Sequence, residues 1–115
     1  MQGPITSNDP LYQMLAKEDV KAFNQAREQG KEADLRHCNF RGLDLRFANL
    51  NGLDLSGAYF RAADLRGINF SKCKMNGASL GDAQISGCYF PTDIPANEII
   101  MSVSYGTRMR QPARE

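Results

Sequence analysis

Residues 33–90 read ADLRHCNFRGLDLRFANLNGLDLSGAYFRAADLRGINFSKCKMNGASLGDAQISGCYF. Every fifth residue in this stretch is large and apolar: Leu35, Phe40, Leu45, Leu50, Leu55, Phe60, Leu65, Phe70, Met75, Leu80, Ile85 and Phe90. Two residues before each centre stands a second apolar set, mostly small, from Ala33 and Cys38 through Ala58, Ala63 and Ala78 to Ala83 and Cys88. The series has no break, and so regular an internal repeat decides the architecture of half the chain. A period of five fits no helix, because at 100° per residue successive centres would step round the axis by about 140° and leave no apolar stripe. It fits no long strand either, since an odd period sends alternate centres to opposite faces. Within one unit, however, the two apolar positions are two apart, which is strand spacing. The position two after the centre is glycine at Gly42, Gly52, Gly57, Gly67, Gly77 and Gly87, as a sharp turn requires. Each unit is therefore a very short extended segment followed by a corner. If every corner turns the same way, the chain closes into a coil with both apolar positions inside.

The runs ANLNGLDLSG (48–57), AADLRG (62–67) and GASLGDA (77–83) resemble the pentapeptide-repeat proteins, whose units follow A(D/N)LXX. The resemblance covers residues 31–94 and implies an all-β solenoid, a right-handed quadrilateral β-helix with four units per coil. That makes about three coils, with Leu35/Leu55/Met75, Phe40/Phe60/Leu80, Leu45/Leu65/Ile85 and Leu50/Phe70/Phe90 stacked. The frame breaks at both ends, where the next centres would be Gly30 and Pro95. Departures from the pattern stand one before the centre, at Tyr59, Lys74, Ser79, Gln84 and Tyr89, and weaken the turn chemistry of the later units.

The two ends read as helical caps, which an open coil needs because its last rung exposes unpaired backbone. Residues 1–32 form the N-terminal cap. Asp9-Pro10 is an N-cap followed by proline at the first helical position, and Asp19 starts a second helix that Gly30 ends. Helices are expected over about 10–17 and 19–29. Residues 33–90 are the repeat, and 91–115 a capping helix over Asn97–Tyr105 with a polar, mobile tail bearing Arg108, Arg110 and Arg114. All three segments make one folded unit. The chain has 115 residues, a formal charge of +1 and three cysteines. So small a charge gives no long-range field for nucleic acid or membrane. The odd cysteine count, with no signal or transmembrane pattern, predicts a cytoplasmic protein.

Groups that could carry chemistry are dispersed. Cys38, Cys73 and Cys88 occupy inward positions on three different walls of a four-sided coil, so they do not converge on a metal. His37 sits at a corner and diverges from Cys38, and no nucleophile–base set can be built around it. Asp34, Asp44, Asp54 and Asp64 precede their centres, where Asn39, Asn49 and Asn69 stand in other units. Both types hydrogen-bond nearby backbone at turns. No catalytic, cofactor-binding or metal-binding residue is expected. The outward set is more informative: Arg41, Arg46, Arg61 and Arg66 with Tyr59 and Tyr89 form the candidate binding surface, since exposed Arg and Tyr most often anchor interfaces.

These readings point to a non-catalytic protein-binding or scaffold module, in the role of a small regulator, acting through its outer walls on an unknown protein partner. The alternative is a topoisomerase-directed, gyrase-interacting or nucleic-acid-binding protein. The family's mimicry of DNA needs a long, strongly negative rod, and residues 33–90 carry seven Lys/Arg against five Asp. The resemblance also implies a homodimer through the C-terminal end, with Ile99, Ile100, Met101 and Val103 as its interface; in a monomer the same residues would cover Ile85 and Phe90.

Overall fold

The structure, a computed structural model, describes residues 3–112. Helix α1 spans Pro10–Ala16 and helix α2 Val20–Glu28. The Asp9 carboxylate accepts from the Leu11 N–H and that of Asp19 from the Ala22 N–H, so each helix starts where its cap stands. Helix α3, Ala96–Tyr105, ends at Gly106 in the left-handed conformation, with φ 73°. Its start is set by Pro95 rather than by a side-chain cap.

Between α2 and α3 the chain returns onto itself every twenty residues. Parallel bridges join Asn39 to Tyr59, Tyr59 to Ser79, Asp44 to Asp64, Asp64 to Gln84, Asp54 to Lys74, and Asn69 to Tyr89. One bonding pattern recurs along the walls. The Leu65 N–H donates to the Gln84 carbonyl, the Gly67 N–H to the Ser86 carbonyl, and the Gln84 N–H back to the Ala63 carbonyl. The pairing consists of isolated bridges, not of continuous strands. The cause lies in the unit: with a corner every five residues, too little extended chain remains on one side to lengthen a ladder.

The corners hold a finding that glycine alone did not predict. Positive φ occurs at the six glycines two after a centre and also at His37, Phe47, Ala62 and Asp82 in the same register. Residues with a Cβ occupy this region at a cost of about 1–2 kcal/mol each. The repeat imposes the conformation on side chains as different as His, Phe, Ala and Asp, and between His37 and Gly87 only Lys72 in this register escapes it. Before the corner, short acids and amides act on the backbone as expected. Asp34, Asn39, Asp44, Asp54, Asp64 and Asn69 each accept from the N–H two residues on, at 2.9–3.3 Å.

The centres from Leu35 to Leu80 are fully buried, whereas Ile85 and Phe90 are only partly covered. Phe40 stacks on Phe60 with ring centroids 5.0 Å apart, and Phe70 on Phe90 at 5.5 Å, both pairs twenty residues apart. Each buried centre contributes roughly 1.5–3 kcal/mol. Tyr12 and Leu15 of α1 and Phe23 of α2 close the N-terminal end, where the Tyr12 hydroxyl donates to the Asn39 carbonyl at 2.6 Å.

Two attachments were not foreseen. Ile5 lies parallel to Cys38, donating to the His37 carbonyl and accepting from the Asn39 N–H, so an extended residue as well as helices covers the first rung. At the other end, the expected mobile tail is overturned for its described part. Arg108 bridges antiparallel to Ser79, the Gly77 N–H donates to the Met109 carbonyl at 2.7 Å, and the Met109 N–H to the Ala78 carbonyl at 2.8 Å. Met109 is fully buried, and the Met75 N–H donates to the Gln111 side chain. The segment 107–111 is a strap, held because the rung beneath it would otherwise keep unpaired N–H groups. Arg114 lies outside the described residues.

Candidate functional site

The arginines assigned to the outer walls are not equivalent. On one wall Asp44, Arg46, Asp64 and Arg66 form a continuous ladder. Arg46 meets Asp44 at 2.8 Å and Asp64 at 3.7 Å, and Arg66 meets Asp64 at 2.7 Å. These hydrogen-bonded guanidinium groups hold both carboxyls below the usual carboxylate range. Asp34 follows the same rule, pushed down to about 2 chiefly by its side-chain bond to Arg36. Charges so paired neutralise one another at the surface, and each exposed pair contributes little to stability. Arg61 reaches Asp82 at 3.5 Å and lies beside Gly81 and Gly106. Arg41 has no ion pair among the described residues; its N–H donates to the Asn39 side chain.

Tyr59 is half-buried, whereas Tyr89 is 70% exposed. The structure does not gather the six residues into one patch: Arg46 and Arg66 belong to the charge ladder, Arg61 turns toward α3, and Tyr89 stands on the last rung. Phe47, which the periodicity did not single out, is 69% exposed, and its ring lies over Gly67, where an added Cβ would come 2.3 Å from Cε1. Phe47 occupies a corner, outside the two apolar registers, so no pattern marks it.

Helix α2 is stapled to the neighbouring corner. The Arg27 guanidinium donates to the Asn49, Asn51 and Lys31 carbonyls, and the Asn24 amide exchanges bonds with Phe47 and Asn49. Here the twenty-residue pairing is interrupted, and the Leu50 N–H turns to the Ala48 carbonyl instead.

At the C-terminal end the four apolar residues of α3 divide. Ile99 and Val103 are partly buried and pack on the core, while Ile100 and Met101 face outward with Tyr105. Beneath α3, Glu98 is buried and accepts from both the Arg110 N–H and its guanidinium, which lowers the carboxyl's pKa and clamps the strap. A surface cleft of about 420 Å³ lies there, lined by Pro95, Asn97, Glu98, Arg110, Gln111 and Pro112. A second cleft, about 480 Å³, lies beside Glu32, Asp34, Arg36 and Asp54 on the first rung.

The cysteines hold inward positions and none forms a disulfide. Burial pushes the Cys38 thiol up to about 11, the direction of an inert core group. The Cys73 and Cys88 thiols donate to the Leu50 and Leu65 carbonyls. No group of His, Cys, Asp and Glu among the described residues is arranged to hold a metal ion. No helix among them is long and apolar enough to cross a membrane.

Comparison with known proteins gives one result. The family model described as pentapeptide repeats matches in eight copies, over residues 31–67 and 54–90. No curated protein and no solved structure matches the chain. The matched stretches together span more than half of the sequence; the chain belongs to the pentapeptide repeat family.

Proposed function

We propose that the protein is a non-catalytic, cytoplasmic protein-binding module, whose coil is the right-handed quadrilateral β-helix of its family. The bridges at twenty-residue spacing support four sides per coil, and family membership supports the hand. The observation that carries the functional reading is the filled interior. Leu and Phe centres occupy the axis of the coil from Leu35 to Leu80, so the chain offers outer walls and ends to a ligand. Arg41 and Tyr89, exposed and without ion pairs, are the anchors of the binding surface. Thiols without disulfides support a reducing compartment.

A nuclease-treated native pull-down with mass spectrometry tests the reading. One stoichiometric protein, lost on Arg41→Ala with Tyr89→Ala, supports it; failure to retain any protein overturns the stable-module form. Arg41 is also the observation that favours a topoisomerase-directed or nucleic-acid role. A topoisomerase in the eluate, or DNA binding that falls steeply with salt, would put that alternative first. The outward face of Ile100, Met101 and Tyr105 supports self-association through α3. A doubled mass by light scattering, abolished by Ile100→Asp, is the expected result.

A further inference from the structure

Both ends of the coil are covered, but not equally. At the first rung Ile5 supplies one N–H and one carbonyl to the backbone of residues 37–39. On the last rung the strap pairs with Gly77 and Ala78, the Ser102 hydroxyl accepts from the Leu80 N–H, and the Val103 carbonyl from the Asp82 N–H. The cover stops there. On the preceding level of the same wall the Ala63 carbonyl, the Leu65 N–H and the Gly67 N–H are all bonded to the rung beyond. Their counterparts twenty residues on, the Ala83 carbonyl and the N–H groups of Ile85 and Gly87, have no partner among the described residues. Ser86 and Gly87 are exposed, Ile85 is half covered, and Pro91 terminates the edge.

We infer that the wall formed by residues 83–87 is a docking edge for an extended peptide of a protein partner, added in parallel register as a further rung. The three unpaired groups specify the main chain of the occupant. One of its residues gives its N–H to Ala83 and its carbonyl to Ile85, and the residue two further on gives a carbonyl to Gly87. Ile5 pairs in this way at the opposite end, and main-chain addition to an exposed edge is a general mode of peptide capture. The residue between them points inward and is apolar, because it must cover Ile85. Charge selects what precedes it. Residues 75–107 contain Asp82, Asp93 and Glu98 and not one Lys or Arg; Glu98 is clamped by Arg110, so the charge at this edge is that of Asp82. Asp82, at the corner where the peptide enters, is well exposed and is held by Arg61 only at 3.5 Å. The occupant is therefore an extended segment with a basic residue followed, three positions later, by one apolar residue.

This inference rests on the binding-module reading and narrows it to one edge. The probe is acetyl-Arg-Ala-Thr-Leu-Ser-Gly-amide, titrated into the full chain and followed by amide shifts and hydrogen exchange. Expected are shifts and slowed exchange at Ile85 and Gly87, lost with the same peptide N-methylated at Thr and weakened by Asp82→Asn. Equal binding of the N-methylated peptide, shifts confined to 75–79 and 107–111 through displacement of the strap, or no shift at all would overturn it. So would amides of Ile85 and Gly87 that are protected by a second copy without peptide, seen as a concentration-dependent mass. A partner captured in the pull-down whose binding ignores residues 83–87 would sink the edge and leave the module reading intact.

Discussion

Replacing Met109 by alanine tests whether the chain beyond α3 is part of the fold. Met109 is fully buried, its N–H and carbonyl both pair with the last rung, and it sits in the polar context Thr107-Arg108-Met109-Arg110-Gln111. Truncating a buried methionine costs about 2–5 kcal/mol, the sum of lost transfer energy and the cavity left behind. Loosening the strap would add the exposure of Gly77 and Ala78 to water, which can solvate them, so the packing loss dominates. For a domain of this size each kcal/mol is about 4 °C, which gives a fall in Tm of roughly 8–20 °C. Thermal unfolding followed by circular dichroism measures it, with Arg108→Ala as the control, since that side chain is exposed and makes one bond to the Gly77 carbonyl at 3.1 Å. The control should change stability by less than about 0.5 kcal/mol. If Met109→Ala also changes it by no more than this, the strap contributes nothing and the polar-tail reading returns.

Other outcomes follow from the corners and the charges. Ala62 is exposed with φ 59°, so Ala62→Gly relieves left-handed strain against the entropy of glycine and should stabilise by about 0.5 kcal/mol in denaturant titration. Gly67→Ala should cost at least about 1 kcal/mol, since φ is +79° and the new Cβ meets the Phe47 ring; Phe47→Ala in the same chain should recover part of the loss. Asp34, Asp44, Asp64 and Glu98 all have lowered folded-state pKa values. Their contribution is present above the ordinary carboxylate value of about 4 and is lost as pH falls through the folded values, near 2 for Asp34. Protection factors at Met109 and Gly77, corrected for the intrinsic exchange rate at each pH, should therefore fall in acid, and Glu98→Gln should lower them at neutral pH and remove Glu98's share of the acid response.

The parts legible in the sequence are those that repeat. The centres show their burial through period five, and helix starts are marked by Asp9 and Asp19, whose carboxylates do cap. What could not be read was pairing made by main chain alone. Ile5 and Met109 dock through N–H and carbonyl groups, which every residue has, and a lone apolar side chain has no period to reveal it. The glycine pattern located corners but understated them, because the pairing forces His37, Phe47, Ala62 and Asp82 into the same conformation. Of the outer arginines, Arg46 and Arg66 were recognisable as offset by Asp44 and Asp64 on one wall. The turn of Arg61 toward Asp82 and Gly106 depends on where α3 lands, and no local pattern encodes that.

The twenty-residue return also governs how such a chain can change length. The α1–α2 cap is fixed to the corner at 47–51 by Asn24 and Arg27, and the strap to residues 75–79. Duplicating twenty residues between these anchors would lengthen the coil by one strand spacing, about 4.8 Å, and leave the two ends facing the same way. Duplicating five, for example 51–55, would keep every centre pointing inward yet swing one end round to the next wall and move Phe60 from Phe40 onto Leu45. Length and orientation are thus separate variables of one repeat: whole coils change the first alone, while single units change the second and re-pair the stacked centres.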